Sequence, residues 1–368
     1  MAGRRLRLCF VAVLGDSIHT KRWVEAMHER GHDVLLVTQR PSLTTQVAVF
    51  NPYDRLPWRV PKLHHVAAYA LTRRAIADFR PDLVHLHWLD ASPAMIRLAR
   101  HWPRMVVSVW GRDVIWDGAA PEPAARVARK RALLATAQEV TAITEFHAAR
   151  TRPLLGAGQR LSVVPWGVDT ARFRPRQDGG GGAPLIGFAK HYLPKYGPEV
   201  LLEAMARVHA RRPDARLVMV GHGDPAPYRA QATALGLDGV VDLRGPATHE
   251  AVPELMRGFD VFCMPSVYDS ETFGVAAVEA AASGVPVVAT RVGGVPEAVQ
   301  DGITGVLVAP RDPAALATAL LALLDDPARA RRMGEAGRAF VCDRYEWRSN
   351  VDAMEAVYDR AMRDRRAA

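Results

Sequence analysis

The stretch Asp269-Ser270-Glu271-Thr272-Phe273-Gly274-Val275-Ala276-Ala277-Val278-Glu279-Ala280-Ala281-Ala282-Ser283-Gly284-Val285-Pro286 carries both the fold signal and the chemistry of this chain. A Phe-Gly turn opens an Ala-rich helix over residues 273–283. Gly284 ends the helix, and Pro286 leads into an apolar strand, as in an αβ unit. Five alanines make this helix apolar almost all round, so it is expected to be buried. A Glu on a buried helix requires a partner. Glu271 and Glu279 flank the turn. A carboxylate accepts hydrogen bonds from both hydroxyls of a vicinal diol, and a helix start attracts phosphate. Diols at two points with phosphate between them describe a nucleotide sugar. The plainer alternatives are a charge favourable to a helix start at Glu271 and an ordinary exposed helix residue at Glu279.

Outward from this stretch, the chain alternates strands and helices twice. In the first half, strands are expected at 6–14, 34–38, 83–87, 105–109, 140–143 and 161–164. Helices are expected at 20–30, 67–79, 93–101 and 124–137. Prolines and Gly179–Gly182, in 165–184, read as a linker between two apolar strands. Strands then recur at 185–188, 216–220, 240–244, 261–264, 287–290 and 305–308. Helices are expected at 198–210, 227–234, 251–258 and 314–324, the last started by Asp312-Pro313. Two α/β domains with mostly parallel sheets follow. The expected boundaries are 1–165 for an acceptor-side domain, 166–183 for the linker and 184–346 for a nucleotide-sugar domain. Residues 347–368 form a helix expected to pack back on the first domain. A cleft between the domains would place the chemistry on loops beyond the strand ends.

With 368 residues, 49% hydrophobic and 24% charged, the chain is globular and large enough for two domains. Three scattered cysteines form no disulfide framework and no zinc spacing, which suits a reducing cytoplasm. No apolar run is long enough to span a membrane, and the basic, apolar N-terminus reads as a first strand and not as a signal peptide. The net charge of +9 is concentrated in residues 1–165, with 24 Lys+Arg against 13 Asp+Glu. That half could be a solvated Arg-rich surface, or it could meet an anionic acceptor or the inner face of a membrane peripherally. No RNP pattern or zinc finger accompanies it, which argues against nucleic acid.

Lys is scarce, with five against 43 Arg, yet Lys190 and Lys195 share the loop after the second domain's first strand. Two point charges there suggest a diphosphate clamp, and two solvated lysines are the alternative. Gly15-Asp16-Ser17 follows the first strand without the full Gly-x-Gly-x-x-Gly fingerprint, which argues against a dinucleotide cofactor and an oxidoreductase. Gly293-Gly294 suits either close backbone approach to a ligand or a simple turn. His85 and His87 share one strand face, but two histidines without a third ligand are a weak metal signal, and no Asp-x-Asp occurs. No serine-nucleophile elbow or Walker loop is present.

These segments together resemble family 4 retaining glycosyltransferases of the GT-B fold. The resemblance rests on Ser270-Glu271-Thr272-Phe273-Gly274, the run 279–290, Gly293-Gly294-Val295-Pro296-Glu297, Asp301-Gly302-Ile303-Thr304-Gly305 and the linker 165–175. The first half is similar more loosely, in the segment around Gly15-Asp16 and in Val109–114.

The resemblance implies a metal-independent, retaining hexosyltransferase without a cofactor. It also implies that Glu271 contacts donor-sugar hydroxyls and Glu279 the ribose. Thr272 and the backbone of Phe273, Gly274 and Val275 would hold phosphate and sugar oxygens. Lys190 and Lys195 would neutralise the diphosphate, with Gly15 closing onto it. The base would sit near Arg244, Gly245 and Ala247. Glu271, Lys195 and Lys190 are thus the catalytic candidates, and a UDP-sugar is the first donor choice, a GDP-sugar the second. On the acceptor side stand Asp16, His19, Trp88, Trp110, Asp113 and His147, for a small-molecule or lipid-linked glycan acceptor. Lys190 stands where the family more often has Arg, and Trp110 where many members have His, so no role of that His carries over. A GT-B nucleotide-sugar epimerase and a non-catalytic nucleotide-sugar-binding subunit are the competing readings.

Overall fold

The computed structural model describes residues 4–56, 61–116, 118, 120–176 and 182–363, with residues 61–65 described as helix backbone only. The chain divides into one unit of Met1–Pro165 with Asn350–Ala368 and another of Trp166–Ser349. Most of the glycine run expected as linker, 179–181, lies outside the described residues. No helix among the described residues is long and apolar enough to cross a membrane.

The first unit is built on a seven-stranded sheet. Its strands are β1 (Arg7–Ala12), β2 (Asp33–Thr38), β3 (Ala48–Phe50), β4 (Leu83–His87), β5 (Met105–Ser108), β6 (Glu139–Ala142) and β7 (Arg160–Val163). They lie in the order β3-β2-β1-β4-β5-β6-β7, all parallel. Unbroken apolar runs make this possible, because a parallel sheet covered by helices on both faces buries both sides of each strand. Cys9, Val11, Val84, Leu86, Val107 and Val140 form its core with helix residues such as Leu98 and Leu133. The direction of winding reverses between β1 and β4. Loops leaving those two strands diverge there and open a crevice at the C-terminal edge.

The last helix, Trp347–Arg363, joins this unit from Asn350 onward. Val351, Met354, Val357, Tyr358 and Ala361 recur at helical spacing and are all buried. The Tyr358 hydroxyl lies 2.7 Å from Nδ1 of His85 on β4. Arg360 donates from Nε and Nη2 to the carboxylate of Glu139, which is completely buried on β6. Arg30 reaches Asp352 and Glu355.

The second unit repeats the plan with six parallel strands. These are β8 (Leu185–Ala189), β9 (Arg216–Val220), β10 (Val241–Arg244), β11 (Val261–Met264), β12 (Val287–Thr290) and β13 (Gly305–Val308), ordered β10-β9-β8-β11-β12-β13. Its switch point lies between β8 and β11. Asp312 accepts hydrogen bonds from the amides of Ala314 and Ala315 with Pro313 at the first helical position, which starts the helix Pro313–Leu324.

Among the helices that differ from expectation, two bear on the second unit. The Ala-rich helix begins at Val275, two residues later than expected, because Gly274 adopts φ +85° and caps it from the left-handed region. A long helix at Pro327–Arg344, absent from the sequence reading, contains Gly334 and Gly337. Glycine disfavours helix by about 1 kcal/mol relative to Ala. Here it permits contact: a Cβ at Gly334 would lie 2.0 Å from the Gly284 carbonyl oxygen.

Candidate active site

At the switch point of the second unit, the loops after β8 and β11 are stitched to each other. The amide of Val267 donates to the Lys195 carbonyl at 2.9 Å. Gly197, at φ +68°, ends a single 3₁₀ turn over Pro194–Tyr196, and a Cβ there would lie 2.1 Å from the Pro265 carbonyl oxygen. The side chain of Tyr192 turns inward, its hydroxyl 2.6 Å from the Met219 carbonyl and 2.8 Å from that of Arg244. It thereby ties the lysine loop to the ends of β9 and β10.

Lys190 Nζ reaches Oε2 of Glu271 at 2.7 Å, and the Ser266 hydroxyl donates to the same oxygen at 3.3 Å. Both members of the pair are largely shielded, with 14% and 11% of their side chains exposed. Burial alone would lower the pKa of Lys190. The charge and hydrogen bond of Glu271, with Tyr196 and the more distant Glu279, outweigh it and hold the pKa above the usual value. The ammonium therefore stays charged. Lys195 meets the same loop's aromatic residue, its Nζ 4.5 Å from the centre of the Tyr196 ring.

Backbone geometry sets Glu271. Its carbonyl accepts from the amide of Gly294 at 3.0 Å, and the Gly293 amide donates to Asp269 at 2.9 Å. A Cβ at Gly293 would lie 2.2 Å from the Glu271 carbonyl oxygen. The paired glycines do allow close approach, and what approaches is the protein's own Glu271 loop. Phe273 points into the core edge-on to Tyr345, with ring centroids 5.2 Å apart, and Thr272 is buried beside it. No side chain caps the start of the helix Val275–Ala282, so its first amides have no side-chain acceptor, the condition under which a helix start can take an anion. Glu279 lies half-buried one turn into this helix.

Among the base-side candidates, exposed Arg244 at the end of β10 pairs with Asp242 at 2.6 Å. Gly245 is exposed and Ala247 half-buried. The second unit thus brings Lys190, Lys195, Glu271 and an uncapped helix start together at one switch point. Tyr192, Tyr196 and Ser266 belong to the same cluster and were not singled out in the sequence. The aromatic residues flanking the lysines were the available signal for the two tyrosines.

The remaining candidates lie in the first unit, on the loops and helix starts that follow β1, β4, β5 and β6. Gly15 follows β1, and a Cβ there would lie 2.2 Å from the Thr38 hydroxyl oxygen. Exposed Asp16 pairs with Arg40 at 3.3 Å. Trp88 follows β4 at φ +71°, a conformation that is rare outside glycine. Trp110 is buried, its ring 4.9 Å from that of His87 and 6.3 Å from that of His19.

Asp113 is buried and accepts hydrogen bonds from the amides of Leu89, Trp110 and Gly111. Its carboxylate orders the β4 and β5 loops through their backbone. His147 is completely buried on the helix Glu145–Thr151, and burial lowers its pKa against the opposing pull of Asp113. His85 and His87 do share a face, with rings 4.4 Å apart. His85, however, is engaged by Tyr358 and the Ser108 hydroxyl, each at 2.7 Å.

Residues 15–172 match the model of Glycosyltransferase Family 4, and residues 169–340 match that of Glycosyl transferases group 1. A D-inositol 3-phosphate glycosyltransferase of Segniliparus rotundus is 33% identical over 347 residues, spanning 88% of this chain and 76% of that one. This chain belongs to glycosyltransferase family 4.

A second relative of the family 4 chain is a GDP-mannose-dependent alpha-(1-6)-phosphatidylinositol monomannoside mannosyltransferase of Mycolicibacterium smegmatis. It is 37% identical over 266 residues, 67% of each chain. Among solved structures, Anabaena HepE in complex with UDP and glucose superposes with a TM-score of 0.79 at 19% identity, covering 96% of this chain and all of that one. The likeness shows the architecture of two Rossmann-like parallel α/β domains that GT-B glycosyltransferases use. The family 4 protein is a glycosyltransferase.

Proposed function

We propose that the protein transfers a hexosyl group from a nucleotide-diphosphate sugar to a hydroxyl acceptor with retention of configuration and without a metal ion. A UDP-sugar is the first choice of donor and a GDP-sugar the second. The name of the Mycolicibacterium relative specifies GDP-mannose, which supports keeping the second. A small polyol phosphate, in line with the name of the Segniliparus relative, and a lipid-linked glycan are the acceptors to test.

The observation that carries this reading is the set of Lys190, Lys195, Glu271 and the uncapped helix start at Gly274, gathered at the β8/β11 switch point. As the bond between the anomeric carbon and the phosphate oxygen breaks, negative charge develops on the diphosphate. Two ammonium groups and helix amides already in place stabilise that charge without reorganising. Glu271 accepts from donor-sugar hydroxyls and keeps Lys190 charged. Glu279 receives the ribose diol. The acceptor oxygen attacks from the face that the leaving group departs, and its proton passes to the departing phosphate oxygen. No side chain is then needed as nucleophile.

Mass spectrometry of wild-type protein incubated with UDP- and GDP-hexoses and candidate acceptors tests the reading. An acceptor heavier by one hexose, absent with Glu271→Ala, supports it. Donor converted to an isomer with no acceptor present would replace transfer by epimerisation.

A further inference from the structure

We infer that Tyr196 is a positioning residue that sets the two site lysines through one aromatic ring. The inference rests on the reading above, in which those lysines meet the donor diphosphate. The Tyr196 ring centre lies 5.0 Å from Lys190 Nζ and 4.5 Å from Lys195 Nζ. Both distances are within cation–π range. The ring is itself held. Its residue closes the 3₁₀ turn Pro194–Tyr196, its side chain packs on the core of the second unit, and Gly197 fixes the turn against Pro265.

The two lysines differ in what else holds them. Lys190 is anchored by Glu271, whereas Lys195 forms no ion pair among the described residues. A lysine ammonium on a four-carbon stem loses considerable rotamer freedom when fixed. A carboxylate partner for Lys195 would fix it but would also neutralise it, and an incoming phosphate would have to displace that partner. A neutral ring attracts the cation by its quadrupole and leaves all three N–H donors for the ligand. It also gives two like charges a common attractive surface, which offsets their repulsion in the unliganded site. Tyr196 therefore presets the spacing of two cations for a diphosphate, and a monophosphate gains less from it.

Isothermal titration of the full chain with UDP, UMP, GDP and GMP tests this with Tyr196→Phe, Tyr196→Met and Tyr196→Leu, alongside Lys195→Ala. Wild type should prefer one nucleoside diphosphate over its monophosphate, and Lys195→Ala should lose that preference. If wild type binds neither diphosphate, or Lys195→Ala binds like wild type, the donor-site reading falls and takes the inference with it. With that reading intact, Tyr196→Phe should stay within about twofold of wild type, since the ring remains. Tyr196→Met and Tyr196→Leu should each weaken diphosphate binding about 5- to 30-fold, the scale of a partly desolvated cation–π contact, with monophosphate binding nearly unchanged. Wild-type diphosphate affinity in either folded apolar variant overturns the inference, as does an equal loss in Tyr196→Phe. Failure of both apolar variants to fold assigns the ring to the core and overturns it as well.

Discussion

Lys190 Nζ and Glu271 Oε2 lie 2.7 Å apart, joining the loop after β8 to the loop after β11 across the switch point of the second sheet. The pair places a cation beside the carboxylate assigned to the sugar, while Lys195 stands free of any carboxylate among the described residues. Charge at this site is thus divided between a cation that is already paired and one that the proposed function reserves for the diphosphate.

Removing the reserved cation should reduce catalysis more than folding. Lys195→Ala should lower kcat/KM by about 1.5–3 kcal/mol in transition-state stabilisation, roughly 10- to 150-fold, with little change in melting temperature. Steady-state kinetics with the donor that wild type uses will check it, and an unchanged kcat/KM removes Lys195 from the diphosphate site.

Glu279 should act on nucleotide binding itself. Glu279→Ala is expected to weaken binding of the free nucleoside diphosphate about tenfold or more, the scale of a charge-assisted hydrogen bond pair to a diol. Equal affinities before and after the change would withdraw the ribose assignment.

In the first unit, Arg360 compensates a carboxylate that has no solvent contact, Glu139. Arg360→Ala should destabilise the protein by roughly 3 kcal/mol, the lower end for breaking a buried pair because the guanidinium is a third exposed. Denaturant midpoints measure this. A loss under about 1 kcal/mol would show that Ser162, which also donates to Glu139, suffices alone.

Burial depresses the pKa of His85 to about 3. Below its unfolded value near 6.5, the unfolded chain takes up a proton that the folded chain refuses. The stability contributed by neutral His85 is complete above pH 6.5 and is lost as pH falls toward 3, by about 1.4 kcal/mol per pH unit within that window. His85→Asn retains polar contacts for Tyr358 and Ser108 but does not titrate. Its stability should fall less steeply than that of wild type between pH 6 and 4.5 in urea titrations. Parallel curves would exclude His85 as a source of the pH dependence.

Both sheets, and Lys190, Lys195 and Glu271 among the residues gathered at the second unit's switch point, are legible in the sequence, for a physical reason. Continuous apolar strands report parallel pairing locally, and Glu271, Gly274 and Glu279 sit within nine residues of one another. What is not legible depends on contacts distant in sequence. The helix Pro327–Arg344 is obscured by two glycines whose purpose, packing on Gly284 and Ala281, is visible only in three dimensions. Asp113 has the residue type of an acceptor contact, and only its three amide partners show its structural work. Tyr196 follows Lys195 directly, yet its approach to Lys190 depends on the 3₁₀ turn between them.

The most direct test of the central claim is a thermal-shift measurement of wild type and Lys195→Ala with UDP-, GDP-, ADP- and TDP-sugars. A ligand at 100 times its Kd stabilises the folded state by about 2.7 kcal/mol, enough to raise the melting temperature measurably. One nucleotide-diphosphate sugar, a UDP-sugar first, is predicted to stabilise the wild type, with most of that shift absent in Lys195→Ala. No shift with any of these sugars, or an equal shift in both proteins, would contradict a donor site built on Lys190, Lys195 and Glu271.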